Sequence, residues 1–378
     1  MSRARPLTFY EFFAGGGMAR IGLGPDWRCA FANDFDPVKA AVYRANFADA
    51  EAHFREGDVW ALSPEDLPGQ ADLAWASSPC QDFSLAGGRA GLKGGRSSAF
   101  FGFWRLIEAL NADGRAPRAV VIENVTGLFT SHGGADFTAL CEALAREGYR
   151  FGALEIDASR FLPQSRPRAF VVAVREAPAA GLAGDSVFHT RLVREAHGRL
   201  PAALAERWVW WRAEAPPRPN ADLSSLIEAD APWRDAGETD EILGLMSPLH
   251  RQRLEALRAS GARAVGALFR RMRVEDGVRV QRAEARFDGL AGCLRTPRGG
   301  SSRQTLIMVE DGEVRTRLIT AREGARLMGL PDGYALPHSA NRGLHVVGDG
   351  VAVPVVRWLA AQLLEPHLSG RPGVLAAE

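Results

Sequence analysis

Apolar and polar positions fall into two regimes along the chain. From residue 7 to 175, short apolar runs alternate with helical patterns: LTFYEFFA then MARIGLG, RCAFAND then PVKAAVYRANF, and further on ADLAWASS, AVVIENV, YRFGALEID and RAFVVAVR. Strand-length runs bounded by Gly, Pro and Asp and separated by helices predict an α/β domain built on a parallel, doubly wound sheet. From about 176 to 300 that rhythm gives way to EAPAAGLAGDS, AEAPPRPNADLSS and arginine-rich stretches, with Trp208, Trp210 and Trp211 nearby, which predicts a second, less regular domain. Helical spacing returns in TAREGARLMGL and in VPVVRWLAAQLLEPHL, the latter amphipathic enough to pack back on the first domain. The expected division is 1–175 for the α/β domain, 176–335 for the irregular one and 336–378 for the returning segment.

Composition narrows this picture modestly. With 378 residues, 46% hydrophobic and 24% charged, the chain is an ordinary globular one, long enough for two domains. No apolar run approaches the roughly 20 residues of a membrane span, and the N-terminus lacks a cleavage pattern, so a cytoplasmic home without membrane contact is expected. Cys29, Cys80, Cys141 and Cys293 are scattered, which indicates neither a disulfide framework nor a metal site. The net charge of +1 hides a local asymmetry: His250 to Arg303 holds thirteen arginines against five acids, and Asp222 to Glu241 seven acids against one arginine. A solvated helix face and a phosphate-binding surface explain the basic stretch equally well.

The candidate chemistry lies at predicted strand ends. The first strand runs into Phe13-Ala14-Gly15-Gly16-Gly17 and then a helix, a turn that lets backbone approach a ligand. Arg20 stands where a GxGxxG fingerprint has its third glycine and is expected to crowd a pyrophosphate, so a nucleoside cofactor without one fits better. Asp34 ends the second strand, suited to ribose hydroxyls, and Asp58 ends a third, suited to an exocyclic amine. As helix N-caps both acids have an equally good structural explanation. The three signals in order favour adenosine.

Cys80 follows the next strand at the carboxyl edge of the sheet. A cysteine is usually a small buried hydrophobe, but Pro79 precedes this one and a glycine-rich polar run follows, as expected of a loop that closes over substrate. Glu123 ends the strand AVVIENV, where burial would raise its pKa and let it hold a proton near neutrality; an ion pair or a cap is the alternative. Gln164, Arg166 and Arg168 in QSRPR are expected to share one strand face and one cleft. Nucleophile, acid, donor array and adenosine site together describe thiolate addition to an electron-poor ring, followed by group transfer.

FFAGGG, PCQDFS, ENV, QSRPR, RLITAREGARLMGLPDGY and VGDGVAVPVV, in this order, resemble the bacterial DNA (cytosine-5) methyltransferases and cover most of the chain outside about 176 to 290. The resemblance implies a Rossmann-like S-adenosylmethionine-dependent methyltransferase domain with a smaller target-recognition domain. It implies S-adenosylmethionine as donor, held by Phe13, Gly15, Gly17, Asp34, Phe35 and Asp58, with Phe35 against the adenine. Cys80 would add to carbon 6 of a flipped cytosine, Glu123 act at ring nitrogen 3 and Arg168, beside Arg166, at the carbonyl oxygen. Gln81, Ser84 and Gln164 are expected to meet the substrate. Double-stranded DNA is the implied partner, bound by a nucleoid-associated monomer, with a cognate restriction endonuclease as genetic partner.

Two positions depart from the family. Asp349 in Gly348-Asp349-Gly350-Val351 replaces its usual asparagine at the methionine end of the cofactor; the simplest expectation is that a neighbouring arginine accommodates it. Asp34 replaces a glutamate. The weighed alternatives are cytosine methylation in tRNA, transfer to an exocyclic amine, which usually carries a Pro-Pro-aromatic block absent here, and a DNA-binding regulator on an inactive fold. The arginine surplus favours duplex DNA. Arg270, Arg271 and Arg273 are candidate phosphate contacts, and Arg298 and Arg303, with Arg295 in a Gly/Ser loop, are expected to reach DNA.

Overall fold

The apolar run Leu7–Phe12 forms β1 of the computed structural model, which describes residues 5–78, 99–217, 221–294 and 303–369. After β1 come α1 (Met18–Leu23), β2 (Trp27–Asp34), α2 (Pro37–Asn46), β3 (Phe54–Glu56), β4 (Leu73–Ser77), α3 (Ala99–Ala112) and β5 (Ala119–Val125). The chain continues through α4 (Ala135–Arg146), β6 (Arg150–Asp157), β7 (Pro167–Val174), α5 (Arg191–Gly198) and α6 (Ala202–Ala205). These strands form one seven-stranded sheet in the order β3-β2-β1-β4-β5-β7-β6, with β1 to β5 parallel and β7 antiparallel to both neighbours.

Near-continuous burial of β1, β4 and β5 is what a sheet covered on both faces demands. From β1 the chain winds outward to β2 and β3, then crosses back to β4 and β5 on the other side. The order therefore reverses between β1 and β4, and a ligand crevice belongs at the carboxyl ends of those strands.

The chain divides into two compact units: 1–157, 167–216 and 350–378 in the first, 158–166 and 217–349 in the second. The tryptophan-rich segment expected in the irregular region belongs to the first unit. Val209 N–H donates to Phe151 O at 2.7 Å, Trp211 Nε1 donates to Val172 O at 3.1 Å, and Trp211 is fully buried. A Cβ on Gly152 would lie 1.9 Å from Val209 O, so that position must be glycine for the segment to lie on β6.

The second unit contains α7 (Ala236–Gly244), α8 (Pro248–Ser260), β8 (Ala264–Glu275), β9 (Val278–Arg286), β10 (Thr305–Glu310), β11 (Glu313–Leu318), α9 (Ala321–Arg326) and α10 (Ala340–Asp349). It is more regular than its composition suggests. Its strands form an antiparallel sheet in the order β11-β10-β8-β9, with Leu268, Ala283, Ile307 and Val309 in a core with Ile242 and Leu254. Both hairpins turn through Asp-Gly with positive φ at both residues, Asp276 (50°) and Gly277 (79°), then Asp311 (51°) and Gly312 (76°), the primed-turn geometry that matches strand twist. Below them the buried pair Arg317–Glu323 (2.8 Å) is stacked on Trp233 and tied into the capping box of α9.

The last helices, α11 (Val353–Leu359) and α12 (Glu365–Ser369), return to the first unit, where Val356 packs so tightly on Gly22 of α1 that a Cβ there would sit 2.4 Å away. This return is more apolar than the sequence runs suggested. Residues 340–369 are long and apolar enough for a membrane span by composition, but 72% of the most apolar window is buried in the protein, as in a core helix.

Candidate functional site

At the end of β1 the backbone turns through left-handed conformations at Phe13 (φ 58°), Gly15 (57°) and Gly17 (80°). The two glycines serve different needs. A Cβ on Gly17 would meet the Phe47 ring at 2.3 Å, whereas one on Gly15 would meet nothing within 4 Å, so open space lies over the middle of the loop. Asp34, 4% exposed, accepts from Gly15 N–H at 2.8 Å and from Asp36 N–H at 2.9 Å, and burial raises its pKa. The N-cap of α2 is Asp36, which receives Val38 N–H and Lys39 N–H, so capping does not explain Asp34. Phe35, next in sequence, is 66% exposed, an aromatic face available to a ring. Asp58 does cap: it is exposed and accepts from Trp60 N–H at 3.0 Å.

Arg20 does not play the obstructing part expected of it. Its Nη2 donates to both carboxylate oxygens of Asp49 at 2.8 Å, and the guanidinium lies 4.1 Å from the centre of the Phe47 ring. A neighbour that sequence reasoning passed over is Glu11, on β1 and 1% exposed. Desolvation pushes its carboxyl up to about 8 against the lowering effect of Arg20, and its Oε2 meets no donor among the described residues. The signal was in the sequence: one acid inside the apolar run LTFYEFF.

The second cluster stands at the carboxyl ends of β4 and β5. Ser77 pairs with Glu123 in register, and Asn124 Nδ2 donates to Ser78 O at 2.9 Å and Ser78 Oγ at 3.2 Å, fastening the end of β4 to β5. Asn124 is thus a positioning residue of this edge. Glu123 is 6% exposed, and Arg168 on β7 reaches it diagonally, Nε to Oε1 at 3.2 Å. The ion pair weighed for Glu123 is present, with the guanidinium that was expected to work beside it. Cys80, Gln81, Ser84 and Arg298 lie outside the described residues.

The other members of QSRPR do not share a strand face with Arg168, because β7 begins only at Pro167 and residues 158–166 belong to the second unit. Gln164, expected to meet substrate, is fully buried: its carboxamide donates to Leu327 O at 2.6 Å and accepts from Leu294 N–H at 3.1 Å. Arg166, 2% exposed, donates to Leu294 O at 3.0 Å and Gly348 O at 2.9 Å. Both bind the second unit together. Arg303 donates to Ile319 O at 3.0 Å, and burial lowers its pKa. Asp349 ends α10 with His345 Nε2 3.1 Å from its carboxylate, so a histidine is one of its partners. The following Gly350 touches Met18, the first residue after the glycine turn: a Cβ there would stand 2.3 Å from its sulfur.

A family model described as C-5 cytosine-specific DNA methylase matches residues 7–365. The chain is similar to the type II methyltransferase M.BsuFI of Bacillus subtilis, 27% identical over 376 residues that cover 99% of this chain and 76% of the relative. It is also similar to the type II methyltransferase M.NlaX of Neisseria lactamica, 26% identical over 357 residues, 93% of this chain and 95% of the relative. Among solved structures, the Dnmt2 methyltransferase of S. pombe has the same fold, with a TM-score of 0.61 at 17% identity, covering 95% of this chain and 98% of that one.

Proposed function

Since the chain belongs to the C-5 cytosine-specific DNA methylase family, we propose that it methylates carbon 5 of a cytosine flipped out of a specific duplex sequence, through a covalent adduct with Cys80. The observation that carries the reading is the buried Glu123–Arg168 pair beside Ser78, two residues before Cys80 in sequence. A methyl-sulfonium nucleoside fits the other cluster. Asp34 has acceptor capacity beside the turn, Gly15 leaves room over it, and Phe35 offers an open ring. With Phe13, Gly17, Asp58 and Asp349 they would hold S-adenosylmethionine, which supplies an electrophilic methyl group.

The residues then divide the work. Carbon 5 of cytosine is a poor nucleophile, so the Cys80 thiolate forms a bond to carbon 6 while Glu123 places a proton at ring nitrogen 3 and the ring electrons move toward carbon 5. Arg168 holds the exocyclic carbonyl oxygen and neutralises charge that develops there. After carbon 5 has taken the methyl, its proton leaves to a base, the carbon 6–sulfur bond breaks to return the thiolate, and the ring nitrogen 3 proton goes back to Glu123, which restores the aromatic ring and the acid. Neither carbon 6 nor the thiol can meet inside a stacked duplex, which is why the base must leave the helix. The type II names of the relatives support a cognate restriction endonuclease as genetic partner.

The test is expression in a host without cytosine methylation, followed by a genome-wide reading of conversion-resistant cytosines beside a Cys80→Ala control. Modified cytosines in one sequence context, absent from the control, are expected. Unmodified DNA from cells containing folded, cofactor-binding protein overturns the reading.

A further inference from the structure

Beyond Leu268, the last residue paired with β10 among the described residues, β8 pairs with β9 from Phe269–Glu284 to Glu275–Val278 around the Asp276-Gly277 turn. Seven residues per strand at about 3.3 Å each give a ribbon roughly 20 Å long. A two-stranded hairpin on its own is marginal in water, and ion pairs reinforce one face of this one. There Arg273 reaches Glu284 at 2.5 Å, with Arg271 3.7 Å from the same carboxylate, and Arg282 reaches Glu275 at 2.8 Å.

The opposite face has a different composition, with Arg270 opposite Ala283 at its base. Its root is the buried Leu268, Ala283 and Ala285. Outward from there, alternation and register place Met272 opposite Gln281 and Val274 opposite Arg279. Met272 is 49% exposed and Val274 71%, an apolar pair that a free domain would be expected to cover.

Resting on the function proposed above, we infer that this ribbon lies in the DNA major groove and that Met272, Val274, Arg279 and Gln281 read base edges there. The major groove admits a two-stranded ribbon of this width. The side-chain types are those that distinguish bases in it: arginine forks onto guanine, glutamine pairs with adenine, and aliphatic groups meet the thymine methyl. The surrounding stretch, His250 to Arg303, has the arginine surplus that a polyanion requires. The laced face keeps the ribbon straight while the other face reads.

Rates of methyl transfer by the full chain to the cognate duplex and to each single-base variant, with cofactor affinity measured in parallel, test this. Arg279→Ala and Gln281→Ala should each lose about 5- to 150-fold discrimination at one base pair, the equivalent of one bidentate contact, with cofactor affinity unchanged. Arg279→Lys, which keeps the charge, should lose the same discrimination with the salt dependence retained. Met272→Ala with Val274→Ala should weaken preference at a thymine. Unchanged discrimination in all of these overturns the ribbon's role and leaves DNA methylation standing, as does an equal loss at every sequence, which would put the ribbon on phosphates. A wild-type protein that marks no DNA removes the proposed function, and the groove assignment with it.

Discussion

The two sheets place exposed chemistry in opposite ways. In the parallel sheet, β1, β4 and β5 are buried almost from end to end, and the candidate chemistry lies where strands stop, at Phe13, Asp34, Ser78 and Glu123. In the antiparallel sheet, β8 starts as core and ends as surface, buried through Leu268 and largely exposed from Arg271. A sheet covered on both faces has only its edge to offer a ligand, so its specificity resides in a few fixed groups. A ribbon that outruns its sheet presents a row of side chains that can change one by one without touching the core.

That contrast is sharpest for the reacting groups. Cys80→Ala should abolish transfer, by roughly 10⁴-fold or more if the thiolate is the nucleophile, with duplex binding retained in a mobility shift. Glu123→Gln should lower the rate by about 10² to 10⁴, the usual worth of a positioned acid, measured as single-turnover methyl transfer. Either variant retaining wild-type turnover would dissolve the distinction between an edge that reacts and a ribbon that reads.

In the second unit the largest stability effect belongs to the buried pair on β11 and α9. Arg317→Ala leaves the Glu323 carboxylate buried without its guanidinium and should cost about 3 to 5 kcal/mol in denaturant unfolding. A ribbon substitution such as Val274→Ala should change stability by less than about 0.5 kcal/mol. Equal effects would mean that the exposed face is structural after all.

Glu11 gives the first unit a pH dependence. Its carboxyl titrates at about 8 in the fold and near 4.3 when unfolded. Between those values the folded state keeps a proton that the unfolded chain has lost, so stability falls as pH rises through this window and levels off above about 8, at about 1.4 kcal/mol per pH unit. Glu11→Gln should flatten the slope, as followed by thermal unfolding from pH 5 to 9. A modest effect is expected at Asp58. As a cap, its replacement by Ala costs about 1 kcal/mol, and a larger loss of cofactor affinity than of stability would separate binding from capping.

Much of the first sheet was legible because a buried parallel strand is a local signal: LTFYEFF and AVVIENV can hardly be anything else. The glycine turn and Glu123 were legible for the same reason, since strand ends fix where side chains emerge. What escaped depended on tertiary context. Trp208 to Trp211 sit in a stretch without periodicity, yet they bury against β6 and β7. Gln164 and Arg166 read as strand residues facing a cleft, because nothing local shows that a strand starts only at Pro167. Asp36 and Asp34 are interchangeable as cap candidates until the helix start is known. The second sheet announced itself twice, as VEDGV and VEDGE, but those hairpin signals were hidden under the arginine surplus.

The chain passes between its two units at four peptide bonds, after Asp157, Arg166, Pro216 and Asp349. The nine residues 158–166 include Gln164 and Arg166, whose side chains hold Leu294, Leu327 and Gly348 of the second unit. With recognition placed in the second unit, as proposed above, specificity is consequently not portable as one cassette. A chimaera that transplanted 217–349 alone would leave its interior struts behind in the host, so exchanging target specificity between relatives requires two grafts from the same donor, far apart in the gene.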